Sequence, residues 1–165
     1  MKEISKAIIS VMKDVQGIEK NSTVGSGQNQ YKGVNDKEVK QILRKSMIEN
    51  GLALVPTGVS AKTEVSRWEE TNKYGTKQKQ SVFTEVNTNY LLIHAESGET
   101  LELAGYGHGV DSQDKGAGKA TTYALKYTLL YTFLVPTGNI DDADSTHSDE
   151  HEVSKQSTNS NDDII

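Results

Sequence analysis

The first third of the chain places apolar residues three and four positions apart. Over residues 3–18 this spacing predicts an amphipathic helix. Residues 19–30 are polar and contain glycine, which indicates a loop. A second helical stripe follows Asn35, which with Glu38 has the spacing of an N-cap and its reciprocal acid. Gly51 stands where a left-handed residue would end that helix.

In the middle of the chain the apolar period changes from about 3.6 residues to about two, which is typical of β-strands. Alternation predicts a first strand around residues 59–66. Residues 81–95 are rich in β-branched and aromatic types, which favours a second strand. The polar segment 69–80 is predicted as the connection between them. A third strand is expected over residues 100–106.

The last third of the chain begins with a glycine-rich crossing, residues 105–118, and continues as a predicted helix over residues 115–134. Pro136 ends this helix because proline cannot continue one. These elements predict an α+β fold, with helices packed on a three-stranded antiparallel sheet. The end of the chain has few apolar residues, which predicts a disordered tail. We therefore expect a domain over residues 1–137 and an acidic tail over residues 138–165.

Charge divides the chain at the same place. The net charge is −5, and segment 138–165 holds eight acidic residues against one base. The rest is close to neutral, so any nucleic-acid site must be a local stripe of cations. The absence of cysteine excludes disulfides and thiolate chemistry. No segment is apolar enough to span a bilayer. We expect a soluble cytoplasmic protein without membrane association.

Cations and aromatic rings share one face of the last predicted helix. At about 100° per residue they occupy roughly one third of the circumference. The face consists of Lys115, Lys119, Tyr123, Lys126 and Tyr127. Small and apolar residues form the predicted sheet-facing side, namely Ala117, Thr121, Ala124, Leu125, Thr128 and Leu129. Spaced lysines can neutralise phosphates and rings can support bases, which fits single-stranded nucleic acid. A solvated lysine face edged by half-buried tyrosines fits the same pattern, and the residues alone leave both interpretations open.

The start of this helix, GAGKAT, invites comparison with a phosphate-binding P-loop. Gln113 stands where that motif needs its first glycine, and Ala120 stands where it needs serine or threonine. The comparison therefore fails, and it gives no support to an ATPase. Backbone amides at Gly116 and Gly118 can still hold a strand phosphate at a helix N-terminus. A purely conformational role for these glycines is equally compatible.

The stretch GYGHGVDSQDKGAGKATTYALKYTLLYTFLVPTGNIDDAD, residues 105–144, closely resembles the signature of the ERF (essential recombination function) family of phage single-strand annealing proteins. YKGV at 31–34 and ENGL at 49–52 add a second match. The resemblance implies the β-β-β-α core of the single-strand annealing superfamily. It also implies ATP-independent annealing of single-stranded DNA by ring or arc oligomers, in the cytoplasm of a bacterial host. The residues that the resemblance places in contact with single-stranded DNA are Lys115, Lys119, Lys126, Tyr123 and Tyr127.

Other function classes and sites account for less of the sequence. A single-stranded DNA-binding protector without annealing activity is the alternative, and an enzyme is disfavoured because no catalytic motif is complete. A tail offers no rigid scaffold for a nuclease or metal site, so we expect no metal, cofactor or catalytic residue. The tail residues concerned are Asp141, Asp142, Asp144, His147 and His151. Segment 69–80 contains Lys73, Lys77 and Lys79. These lysines either line the opposite side of a DNA groove or belong to a solvated loop.

The expected partners are single-stranded DNA and further copies of the chain. The edges of a three-stranded sheet must be covered or paired, which favours a homo-oligomer. The acidic tail is either a solubilising spacer or a partner-binding segment. It ends in two acids followed by Ile164 and Ile165, similar to the tips with which bacterial single-strand binding proteins recruit partners. A host single-strand binding protein and a phage exonuclease are the candidate protein partners.

Overall fold

Three helices and five strands make up the part of the chain that the structure describes, residues 1–20, 22–24 and 31–138 of a computed structural model. In chain order they are α1 (Lys2–Asp14), β1 (Ser22–Val24), β2 (Tyr31–Gly33), α2 (Asp36–Glu49), β3 (Leu52–Asn72), β4 (Gly75–His94), β5 (Thr100–Asp111) and α3 (Gly116–Thr132). The predicted disordered tail lies outside the described residues except for Gly138.

The central sheet has the strand order β3-β4-β5, and both strand pairs are antiparallel. Helix α3 lies on one face of this sheet, against β4 and β5. This arrangement confirms the predicted α+β fold. Strands β1 and β2 form a separate antiparallel ribbon, in which Ser22 pairs with Gly33. The prediction of a continuous loop over residues 19–30 is therefore wrong at β1, because strands of three residues are too short to give an alternation signal.

The hydrophobic core lies where α1, α2 and the second half of α3 meet one end of the sheet. Its largest fully buried side chains include Ile4 of α1, Leu43 of α2, Leu92 of β4 and Phe133 after α3. The helical stripes that the sequence predicts for α1 and α2 provide the inward faces of these two helices.

The junctions around α1 and α2 agree with the predicted caps in part. The side chain of Asn35 accepts a hydrogen bond from the Lys37 amide at 2.9 Å, and Gly51 has a φ of 64°. Helix α1 ends at Asp14, before the predicted limit of residue 18. Ile18 is still buried although it lies beyond the helix. Its amide donates to the Pro136 carbonyl at 2.9 Å, and its own carbonyl accepts from the Gly138 amide at 3.1 Å, so its backbone is held against the segment after α3.

Strands β3 and β4 continue to a tight turn at Lys73 and Tyr74. The predicted polar connection over residues 69–80 is therefore wrong, because most of it is strand. The cause is visible in the register, since β5 ends opposite Val82. Beyond that point the β3–β4 ribbon has water on both faces, so polar residues occupy both and the alternation disappears.

Strand β5 extends to Asp111, so the predicted glycine-rich crossing is wrong up to that residue. Its glycines face α3 and allow the helix to lie directly on the strand. A Cβ on Gly107 would overlap the carbonyl of Ala120 and would lie 2.6 Å from the Ala124 amide nitrogen. The close packing also turns α3 relative to its predicted orientation: Gly116 and Ala120 are buried, whereas Ala117 and Thr121 are exposed.

Candidate nucleic-acid interface

Three tyrosine rings stack along one flank of α3. Tyr123, Tyr127 and Tyr131 are four residues apart, which places each ring one turn beyond the last. The ring centroids are 5.9 Å and 5.7 Å apart, and the successive planes are inclined by 16° and 21°. We call these three residues the tyrosine ladder. Tyr131 is absent from the predicted site, although its four-residue spacing from Tyr127 was available as a signal.

The ammonium group of Lys126 lies against the tyrosine ladder. Its Nζ is 4.6 Å from the centroid of the Tyr123 ring and 5.1 Å from that of Tyr127, within the range of cation–π attraction. The same Nζ donates to the backbone carbonyl of Val34 at 3.3 Å. Burial lowers the pKa of Lys126, and the nearby carboxylate of Asp36 opposes that shift. Lys126 therefore joins α3 to the segment before α2 and supplies a half-buried positive charge beside the rings.

Lys119 connects the first turns of α3 to the end of β5. Its Nζ lies 2.6 Å from Oδ2 of Asp111 and donates to the Val110 carbonyl at 3.0 Å. The hydrogen bond from Lys119, followed by that from the Gln113 amide, holds the pKa of Asp111 below its ordinary value. About half of the Lys119 side chain is exposed, with 48% relative accessibility. Its charge is thus partly offset by Asp111, while the side chain remains accessible to a ligand.

The N-terminus of α3 carries a shallow open depression with a volume of about 540 Å³. It is lined by Asp114, Lys115, Gly118, Lys119, Thr122 and Tyr123. We call it the lysine surface. Lys115 occupies the N-cap position and is exposed, and Gly118 has open space around its Cα. Gly116 is buried instead, since a Cβ there would lie 2.9 Å from Oγ1 of Thr84. Of the two predicted glycines, Gly118 is the one on the accessible side.

A groove of about 870 Å³ runs between the tyrosine ladder and β5. On the strand side it is lined by residues that include Leu103, Gly105, Tyr106 and His108. On the helix side it is lined by Lys119, Thr128 and the tyrosine ladder. The ladder therefore borders this groove, while its first ring, Tyr123, also reaches the lysine surface.

The predicted lysines of segment 69–80 lie on the β3–β4 ribbon rather than on α3. Lys73 is in the turn, with its Nζ 5.0 Å from the centroid of the Tyr74 ring. Lys79 forms an ion pair with Glu70 at 3.1 Å, and Lys77 is exposed. The structure thus groups the predicted residues of α3 and places the ribbon lysines on a different element.

Within residues 1–20, 22–24 and 31–138, no three His, Asp or Glu side chains are grouped closely enough to hold a metal ion. The tail acids and histidines considered from the sequence lie outside the described residues. None of the helices in these ranges is long and apolar enough to cross a membrane.

The sequence matches a protein-family model. The model of the ERF superfamily matches residues 4–164, nearly the whole chain. No curated protein matches the sequence.

Proposed function

The chain belongs to the ERF superfamily, and from this we propose that it binds single-stranded DNA along α3 and anneals complementary strands without nucleotide hydrolysis. The observation that carries the proposal is the stacked tyrosine ladder, with Lys126 against its rings and the lysine surface at its beginning. Both kinds of group that a single strand needs are thus present on one helix.

The lysine surface would contact phosphates. Lys115 and Lys119 are accessible, and the Gly118 amide lies near the N-terminus of α3, where backbone donors favour an anion. No acidic residue occurs between Asp114 and Asp141, so α3 itself carries no carboxylate that would repel the strand. Lysine ammonium groups act as point charges and do not read base identity. Such contacts suit a protein that must accept any sequence.

The rings of Tyr123 and Tyr127 would support bases. Every base has a π face, so stacking on a ring tolerates all sequences. Lys126 acts on this site through the rings: its attraction to both keeps them aligned, and its bond to Val34 fixes α3 against the segment before α2. We assign it as a positioning residue. The exposed lysines of the β3–β4 ribbon, Lys73 and Lys77, would provide a second and more distant set of phosphate contacts.

Annealing requires that strands are held without burial of their pairing edges. Phosphate neutralisation lowers the repulsion between two strands, and stacking on one face leaves Watson–Crick edges accessible. One subunit offers few contacts, so each strand segment can be released and paired again in a new register. These properties favour annealing over the alternative, a protector that only coats strands.

The double substitution Lys115→Ala/Lys119→Ala tests the site. We expect weaker binding to oligo-dT and to mixed sequences alike, with the salt slope reduced by roughly 0.7 per lost phosphate contact. Fluorescence anisotropy across a salt series measures both quantities.

The matched control is Lys13→Ala/Lys45→Ala, which removes the same charge from exposed positions on α1 and α2. It should leave the affinity and the slope close to those of the parent protein. A folded Lys115→Ala/Lys119→Ala variant that binds oligo-dT as tightly as this control would refute the assignment of the lysine surface.

A further inference from the structure

A pocket of about 540 Å³ lies between α1, the C-terminus of α2 and the turn that joins β4 to β5. Two backbone hydrogen bonds hold its walls together. The Ala95 amide donates to the Gly51 carbonyl at 2.8 Å, and the Ile4 amide donates to the Glu99 carboxylate at 2.8 Å. The shape of the pocket is therefore set by contacts between these three elements. We call it the His94 pocket, after the imidazole that lines it.

The hydrogen bonds of His94 define which ring nitrogen carries the proton. The side chain is 9% exposed, and its Nδ1 accepts from the Ser97 amide at 3.3 Å. Oγ of Ser97 lies 2.8 Å from the same Nδ1 and itself accepts from the Glu99 amide at 3.3 Å, so the hydroxyl proton is directed at Nδ1. Because Nδ1 acts as an acceptor, the proton of the neutral ring is on Nε2.

The Nε2–H group of His94 is a donor for a ligand. Among residues 1–20, 22–24 and 31–138, no group accepts a hydrogen bond from it. It is directed towards the end of α2, since a Cβ on Gly51 would lie 3.7 Å from Nε2. An unsatisfied donor on a nearly buried side chain is unfavourable, and an acceptor supplied by a ligand removes that penalty.

Carboxylates dominate the rim of the His94 pocket. Glu3, Glu49 and Glu96 line it, and of the lining residues that the structure describes only Lys6 carries an ammonium group, which pairs with Glu3 at 2.9 Å. Glu49 is the last residue of α2, and the final turn of that helix has no basic residue. An acid at the negative end of a helix dipole is unfavourable, whereas a cation there is favourable. The rim therefore favours a positively charged ligand.

An exposed apolar side chain completes the surroundings of the pocket. Ile48 lines it and is 62% exposed. A ligand that fits must thus offer a hydrogen-bond acceptor, a positive charge and an apolar group. A metal ion or a polyamine offers no acceptor, and the carboxylates repel the phosphates of nucleic acid. A peptide with lysine or arginine beside an apolar residue offers all three.

We propose that the His94 pocket binds a basic segment of a partner protein. A backbone carbonyl of the segment accepts the hydrogen bond from Nε2 of His94. Its lysine or arginine side chain pairs with Glu49 and Glu96, and arginine can do so through two parallel hydrogen bonds. The apolar neighbour of that residue packs on Ile48.

The His94 pocket and the lysine surface lie at opposite ends of β5. Asp111, which holds Lys119, pairs with Val82 of β4. Val82 precedes His94 by twelve positions on that strand, which at about 3.3 Å per residue corresponds to roughly 40 Å. A partner in the pocket therefore leaves the lysine surface accessible. The inference does not rest on the proposed DNA binding, because it follows from the pocket alone.

An array of tethered octapeptides, whose two central positions run through all pairs of amino acids, tests the proposal with the intact chain. The parent protein should bind most strongly where lysine or arginine stands beside an apolar residue. Glu49→Gln/Glu96→Gln should lose this preference, and both positions are exposed, so the substitutions should leave the fold intact. A parent protein without preference for these peptides would overturn the proposal.

The control must account for the acidic segment 138–165, which also attracts cations. Asp141→Asn/Asp142→Asn removes the same charge from that segment and should bind the array like the parent protein. Fluorescence anisotropy with the strongest array peptide should give roughly fivefold weaker binding for Glu49→Gln/Glu96→Gln, in line with two exposed ion pairs. Equal affinities for this variant and the control would contradict the assignment of the pocket.

The imidazole has a readout of its own. With histidine labelled selectively with nitrogen-15, saturation with the same peptide should shift the Nε2–H resonance of His94 and slow its exchange with water. The resonance of His108, which lies on β5, should stay in place. A bound peptide that leaves the His94 resonance unchanged would show that the peptide does not occupy the His94 pocket.

Discussion

At the scale of single residues, one carboxylate organises the start of α1. Glu99, in the turn between β4 and β5, accepts hydrogen bonds from the amides of Ile4 at 2.8 Å and Lys2 at 3.1 Å. It also forms an ion pair with the N-terminal ammonium group at 2.6 Å. The Ile4 hydrogen bond is the first cause of a pKa lowered to about 2 from the ordinary 4.5. Glu99 thus acts as a helix cap supplied from a distant part of the chain.

Replacement of Glu99 by glutamine should lower the melting temperature at neutral pH by a few degrees, because an anion at a helix N-terminus is lost. A folded-state pKa below the unfolded one stabilises the protein above pH 4.5, and this contribution disappears as the pH falls towards 2. The difference between parent and Glu99→Gln should therefore shrink in acid. Circular-dichroism melts between pH 7 and pH 2.5 measure it.

The control for this experiment is Glu96→Gln, in the same turn but exposed. It should melt close to the parent protein throughout the series. A Glu99→Gln deficit that stays constant down to pH 2.5 would show that the carboxylate charge is not the source of the stabilisation.

The long-range contacts of individual side chains explain why the sequence predicts the site only in part. The spacing of Lys115, Lys119, Tyr123, Lys126 and Tyr127 is sufficient to place them on one helix. It does not reveal that Lys119 pairs with Asp111, or that Lys126 contacts the Val34 carbonyl 92 residues away. Such long-range partners depend on the folded arrangement and leave no periodic signal.

At the scale of elements, α3 lies directly on β5 along the glycines of the strand. The glycines of β5 that the sequence suggested as a crossing are strand residues required by this contact. Sequence periodicity detects amphipathic faces, and it found α1, α2 and parts of β3, β4 and β5. It cannot detect a strand whose inward-facing residues are glycines, as at Gly107. Nor can it detect a ribbon that is exposed to solvent on both faces, as around Lys77.

Gly107→Ala should lower the free energy of unfolding by about 3 kcal/mol, because the added methyl group meets helix backbone rather than a side chain that can move. Gly118→Ala should raise it by about 0.5–1 kcal/mol, since that position is helical with open space around it. Urea unfolding of both variants provides the comparison. Equal stabilities would show that α3 does not lie directly on β5.

At the scale of the whole molecule, charge is unevenly distributed. Segment 138–165 carries eight acids and one base, whereas the proposed DNA surface lies on a helix without carboxylates. The chain is hydrogen-bonded to the domain as far as Gly138, through Ile18. An acidic segment attached there would compete with bound DNA for the same cations.

Removal of residues 139–165 should therefore leave the domain folded and its binding to oligo-dT unchanged or slightly tighter. Anisotropy at low and moderate salt measures this, and any gain should diminish as salt increases. A truncated chain that is folded but no longer binds would show that the acidic segment takes part in binding.

Strand annealing is the central claim, and a pairing assay tests it most directly. Two complementary oligonucleotides, one with a fluorophore and one with a quencher, are mixed with and without the parent protein in the absence of any nucleotide. We predict that the protein accelerates pairing severalfold and that Lys115→Ala/Lys119→Ala loses most of this acceleration. If the protein binds both strands yet pairing proceeds no faster than without it, the annealing function is contradicted and a protector of single strands takes its place.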